Sequence, residues 1–484
     1  MKQDLRKAFA ACAAALAAVL VCAAGGRAQE GDLTGSAGVF IEPARARASA
    51  PRTRTTTPAR PAARRTRPKA ATTTIPPPRT LPRSTPAVTA ESLNAKAETA
   101  IDAGRFAEAV EPLRQALKLK PEFADAQYNL GFALYSLGQT AEAVEPLRRA
   151  AQLDPADTDA PFYLGAALAK LGRHAEAAAA YEQAARLSPK NAVVLSALGG
   201  EYEAAGDRAR GADAYRRAVA INPDDAETQF DLGEALYAAG KYAEAADAFS
   251  HVVRVAPVNS EAQEMLGDSY RALNRFAEAS AAYRDASRLK PSDAEVLQKL
   301  GYALGREKRW QEAADALKKA VALRPADADA PVNLAWVYNN TGQYALSIDT
   351  LKPVVAAKPD NTAALFNLGT AYGHLAQKGA RNDAERKSLF GQAVDTLTQV
   401  IRLKPDWAEA HNNLGVALGS LGRFKEAAAE HAEAVRLKPD YAGAIFNLAY
   451  AYRKSGDKKR ALETYKQLQA VNPAMAERLY PLVK

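Results

Sequence analysis

The chain has 484 residues, 48% hydrophobic, 25% charged and only 7% aromatic, a globular average with room for two to four ordinary domains. Its formal charge of +9 is unevenly placed: residues 1–89 hold 15 Lys or Arg against 4 Asp or Glu, and residues 90–484 hold 49 against 51. This excludes an argument from basicity to nucleic-acid binding by the C-terminal part, and the restriction of cysteine to Cys12 and Cys22 excludes a disulfide framework, thiolate metal site or cysteine nucleophile after residue 22.

At the N-terminus, Lys2, Arg6 and Lys7 precede an apolar run from Ala8 to Ala24, followed by Gly26-Arg27-Ala28. A charged head, apolar middle and small-residue exit read as a secretory signal over residues 1–28, cleaved after Ala28. The alternative is an uncleaved inner-membrane anchor through residues 8–24, although an alanine-dominated run of 17 residues is short and weakly hydrophobic for a span. The location expected is therefore exported, periplasmic or secreted. Val21 before Cys22 argues against a lipid-attachment site.

Residues 29–89 are read as a disordered basic linker. Pro, Arg, Thr and Ala dominate from about Pro43 to Val88, without an acidic residue; such a stretch buries too little apolar area to offset chain entropy, and its like charges repel. The eleven Lys and Arg between Arg45 and Arg83 suit either a solvated spacer or contact with an anionic envelope surface. No aromatic residue is available there for base stacking, so nucleic acid is not an expected partner.

From Ala90 a period takes over. Prolines stand at 121, 155, 189, 223, 257, 291, 325 and 359 in steps of 34, then at 405 after a step of 46, then at 439 and 473. Glycine keeps the same beat at 131, 165, 199, 233, 267, 301, 369 and 415. Eleven units of 34 residues with a 12-residue insertion in the ninth fill residues 90–475. The insertion falls within Gly373–Phe390 and reads as either a longer loop or a partner contact.

Within a unit, taking Ala124 as position 1, Leu130, Gly131 and Leu134 form an apolar stripe at helical spacing, and Gly138 ends that helix. Ala143, Leu147 and Ala150 form the stripe of a second helix, ended by the next proline. Small residues at positions 8 and 20 allow close approach of the two backbones. A lone helix pair cannot bury its apolar face, so stacking is expected to stabilise every unit. Residues 476–484, with Leu479 and Leu482 in phase and Pro481 blocking propagation, read as a short cap.

The recurring set Phe230-Asp231-Leu232-Gly233, Leu236, Gly240, Tyr242, Ala245, Phe249 and Pro257, and again Asn413-Leu414-Gly415, Leu418, Gly422, Phe424, Ala427, Ala434 and Pro439, resembles the tetratricopeptide repeat, here of a bacterial exported type. The resemblance implies an all-α, right-handed superhelical solenoid of about eleven antiparallel helix pairs, whose first helices line a concave groove that binds proteins. Position 6 is Asn129, Asn333, Asn367, Asn413 and Asn447, and positions 5 and 9 include Trp336, Phe366, Phe446 and Tyr450. A helical wheel places these residues away from the packing stripe, and relatives that hold peptide backbones on an asparagine ladder suggest that use for the row.

No catalytic constellation is evident. The histidines at 174, 251, 374, 411 and 431 lack zinc-helix spacing and read as surface or groove residues, and phosphate loops and nucleophile elbows are absent. The expectation is a non-enzymatic scaffold or adaptor in the bacterial envelope, without metal or cofactor, that binds extended segments of other proteins. The alternatives are an envelope tether acting through its basic linker or anchor, and a non-catalytic accessory subunit of an envelope enzyme.

Overall fold

The structure, a computed structural model, describes residues 88–484. The signal at 1–28, the anchor alternative at 8–24, the basic stretch at 45–83 and nearly all of the linker lie outside the described residues. Among those described there are twenty-three helices and no strand. The first helix, Ala90–Asp102, is opened by Thr89, which exchanges capping hydrogen bonds with Ser92. Eleven antiparallel pairs follow one another as a solenoid, and a single helix, Pro473–Val483, ends it. Contacts divide the helices into two compact units at Arg275 and Phe276, each taken here on its own.

Seven of the pairs close on one contact. The glycine at position 8 of the first helix lies under the side chain at position 24 of the second, so tightly that an ideal Cβ on Gly301 would sit 2.5 Å from Leu317 Cγ. The same holds for Gly131 over Leu147 (2.5 Å), Gly233 over Phe249 (2.7 Å) and Gly369 over Leu397 (2.7 Å). Removing the Cβ lets an aliphatic or aromatic knob touch backbone, which explains the glycine beat in the sequence. The turn between the two helices needs a left-handed residue. Gly138 supplies it at φ +77°, and Asn274 and Lys308, which replace glycine in the sixth and seventh repeats, are forced to φ 58° and 61°.

The insertion in the ninth repeat does not make a long loop. It extends the first helix to 17 residues, Thr362–Lys378, and the second to 21, Asp383–Leu403, where the second repeat has 13 and 14. Asn382 caps the extended second helix by accepting from Glu385 N. At the C-terminus the last helix starts on Pro473, earlier than the cap expected from residue 476, with Asn472 accepting from Met475 N. Its Ala476, Leu479 and Val483 cover Ile445, Ala449, Ala461 and Leu468 of the eleventh repeat, so the final apolar face is not left to water.

Two expectations follow for the position-8 contact. Gly301→Ala gains helix propensity but overpacks Leu317, and is expected to lower stability by about 1–3 kcal/mol in a thermal scan. Adding Leu317→Ala should make room for the new methyl, so the double variant should lose less than the sum of the two single losses.

Candidate functional site

The surface expected to bind a partner is the inward side of the first helices. The sequence reading left it open; the structure closes most of it. In the third repeat every residue from Ala160 to Leu168 is buried, and in the tenth every residue from Ala410 to Leu418. The reason is that first helices of successive repeats touch one another, as Asp329–Asn340 touches Thr362–Lys378 and as Ala408–Ser420 touches Ala442–Lys454. A single-helix wheel has no term for that neighbour.

The asparagine row is corrected accordingly. Asn333, Asn367, Asn413 and Asn447 are 0–2% exposed, and Asn367, Asn413 and Asn447 bond from repeat to repeat instead of facing solvent. Asn367 Nδ2 donates to the Val332 carbonyl at 3.4 Å, and Asn339 Nδ2 donates to the Asn367 carbonyl at 3.1 Å, joining repeats eight and nine. Asn413 Nδ2 donates to Thr370 Oγ1 at 3.1 Å, joining nine and ten, and Asn447 Nδ2 donates to Asn412 Oδ1 at 3.1 Å, joining ten and eleven. Asn129 is half-buried and does the same near the N-terminus, donating to Asn94 Oδ1 at 3.0 Å. Asn339, Asn412 and Thr370 were not singled out from the sequence, and their spacing from the row is the signal that could have found them.

The aromatics divide. Phe366 is buried and stacks on Trp407 at 4.4 Å between ring centres, so it belongs to the core. Trp336, Phe446 and Tyr450 stay half-exposed. Trp336 leans on Trp310 at 5.3 Å, and Lys454 lies over the Tyr450 ring at 5.4 Å. These three are what the structure leaves accessible of the expected site in the C-terminal unit.

The histidines of the tenth repeat are likewise buried, not at the surface. The two His411 ring nitrogens face acceptors, the Glu430 carboxylate at 2.7 Å and the Pro405 carbonyl at 2.9 Å. Burial works against a charged ring, yet the Glu430 and Pro405 bonds outweigh it and raise the pKa. His431 occupies position 24, where neighbouring repeats carry Leu397 and Tyr465. It lies under Gly415, whose ideal Cβ would meet Cε1 at 2.6 Å, and burial pushes its pKa down to about 3. Among the described residues no group of three His, Cys, Asp or Glu is placed to hold a metal ion, and no helix is long and apolar enough to cross a membrane.

Comparison with known proteins agrees with this geometry. Family models described as tetratricopeptide repeat match residues 306–372, 382–442 and 420–480, and one described as TPR repeat matches 267–308. The repeats of residues 267–480 are therefore similar to tetratricopeptide repeats. Residues 87–269 match the C-terminal domain of cilia and flagella-associated protein 70. No curated protein matches the chain. Among solved structures, Naa15/Naa10 bound to HypK-THB is 15% identical, with 78% of this chain and 68% of that one covered and a TM-score of 0.42. Cut9-Hcn1 of the APC/C is 14% identical, with 82% and 90% covered and a TM-score of 0.41. YrrB, a tetratricopeptide protein with an unusual peptide-binding site, is 22% identical, with 41% and 97% covered and a TM-score of 0.34. The tetratricopeptide-repeat matches suggest a protein-interaction scaffold.

Two outcomes test the corrected roles. Asn413→Ala leaves Thr370 without its buried partner, which should cost about 1–3 kcal/mol and speed amide exchange across residues 362–437 while leaving residues 90–204 unchanged. His431 is neutral in the fold but takes a proton near 6.5 when unfolded, so it binds more protons unfolded between those values. Stability should therefore be full above pH 6.5 and fall by about 1.4 kcal/mol per pH unit below it, about 2 kcal/mol by pH 5. The difference between wild type and His431→Leu should show that slope in urea titrations from pH 7 to pH 5.

Proposed function

We propose that the chain is a non-enzymatic scaffold of the bacterial cell envelope, which holds an extended segment of a partner protein against the half-exposed aromatics of its C-terminal repeats. The observation that carries this is that Trp336, Phe446 and Tyr450 stay half-exposed on first helices where the residues flanking them in sequence are largely buried. Large flat side chains held by packing on one side lose little entropy when a partner covers the other. The asparagines serve this surface from behind, as inter-repeat bonds that fix the spacing of the aromatics. Export rests on the head-apolar-exit pattern of residues 1–28.

A tether reading is favoured by one feature, the eleven Lys and Arg between Arg45 and Arg83. In that reading the basic stretch, or an uncleaved segment at 8–24, holds the array at an anionic membrane or wall polymer.

Photo-crosslinking in the native host tests the scaffold. A crosslinker replacing Trp336 or Tyr450 is expected to give discrete adducts with another protein, and one replacing the exposed Lys319 should not. Equal adducts at all three positions would remove the aromatic face from the account. Intact-mass analysis tests export separately: the mature chain should begin at Gln29, and a full-length cytoplasmic species would contradict it.

A further inference from the structure

The last repeat differs from the others in charge and in shape. Residues 442–484 carry eight Lys or Arg against three Asp or Glu, while residues 90–441 carry 41 against 48. Five of the eight fall within Arg453–Arg460, around the turn between the helices Ala442–Lys454 and Lys458–Val471. At position 17, where other repeats place Tyr242, Trp310, Tyr344 or Phe424, this repeat has Lys458. A recess of about 710 Å³ lies between this turn and the preceding helix, Phe424–Leu437.

Its lining is part apolar and part positive. Ala428, Ala429 and Tyr452 line it together with Lys425, Lys458, Lys459, Arg460 and Asp457. The neighbouring acids are engaged elsewhere. Asp457 pairs with Arg460 at 2.5 Å, Glu426 with Arg423 at 2.7 Å and Glu430 with His411 at 2.7 Å. Arg460 also lies over the Tyr452 ring at 4.8 Å, so it acts as a fixed wall. Lys425, Lys458 and Lys459 have no ion pair among the described residues, and all three are exposed.

We propose that this recess docks an acidic peptide segment of a partner protein, separately from the aromatic face. The carboxylates meet the three lysines, and the intervening small or aliphatic side chains rest on Ala428, Ala429 and Tyr452. The apolar Ala428, Ala429 and Tyr452 that line the recess beside the charges favour a peptide with small side chains over a membrane surface. The chemistry argues against a phosphate polymer, because bidentate phosphate recognition favours arginine and Arg460 is already committed to Asp457.

The test uses the full chain with Cys12→Ala and Cys22→Ala and an environment-sensitive fluorophore on Ser455→Cys, so that it reads this recess and not the basic N-terminal stretch. The probes are a twelve-residue peptide alternating Asp or Glu with Ala or Leu, its Asn/Gln counterpart, inorganic polyphosphate, and vesicles containing phosphatidylglycerol. The acidic peptide should saturate the signal. Lys425→Glu, Lys458→Glu and Lys459→Glu together should weaken its binding at least tenfold, arginine at the same positions should retain it, and the amide peptide should not bind. Equal binding of both peptides, binding unaffected by charge reversal, or a stronger response to polyphosphate or vesicles than to the acidic peptide would overturn the proposal.

Discussion

The close approach of the position-8 residue, glycine in most repeats and alanine in the others, to the side chain at position 24 is the constraint on which the packing of the helix pairs depends. It brings the two helices of a pair so close that a methyl group on Gly301 would overlap Leu317. The first helices of successive repeats touch as well. That second approach takes the asparagines out of water and turns them into bonds between repeats. Burial of this kind is tolerable only when the amide finds partners, and Val332, Thr370 and Asn412 supply them.

Much of this architecture could be read from the chain before any coordinates. The 34-residue beat of Pro and Gly encodes helix ends and close approaches, both local consequences of residue chemistry. Asn274 and Lys308 were visible as exceptions to the turn glycine, and they take the left-handed backbone the turn requires. The asparagine row was visible too, but its role was inverted. Which side of a helix is open depends on the distance to the next first helix, and that distance is set by packing across repeats. The polar centre of the ninth repeat's extra residues suits a longer loop or a partner contact, yet polar residues from Asp383 to Ser388 make an exposed helical face as readily. The paired fates of His411 and His431 were not legible at all, because they follow from which acceptor, or none, meets each buried ring.

The same logic bears on function. A stacked array stabilises each repeat through its neighbours, so its interior carries little information about partners. Information resides in what the packing leaves accessible: the half-exposed Trp336, Phe446 and Tyr450, and the exposed lysines Lys425, Lys458 and Lys459 around the last turn. The two surfaces differ in chemistry, one flat and aromatic, the other recessed and basic, and would select different segments of a partner. Neither demands catalysis.

The central claim is that the asparagines act as bonds between repeats and not as an open ladder. Solvent exchange of their side-chain amide protons, followed by NMR on protein labelled at asparagine, tests it most directly. The account predicts that the Nδ2 protons of Asn333, Asn367, Asn413 and Asn447 exchange far more slowly than those of the exposed Asn222. Exchange of the row as fast as Asn222 would mean that its side chains stand free in an open groove, and would contradict the account.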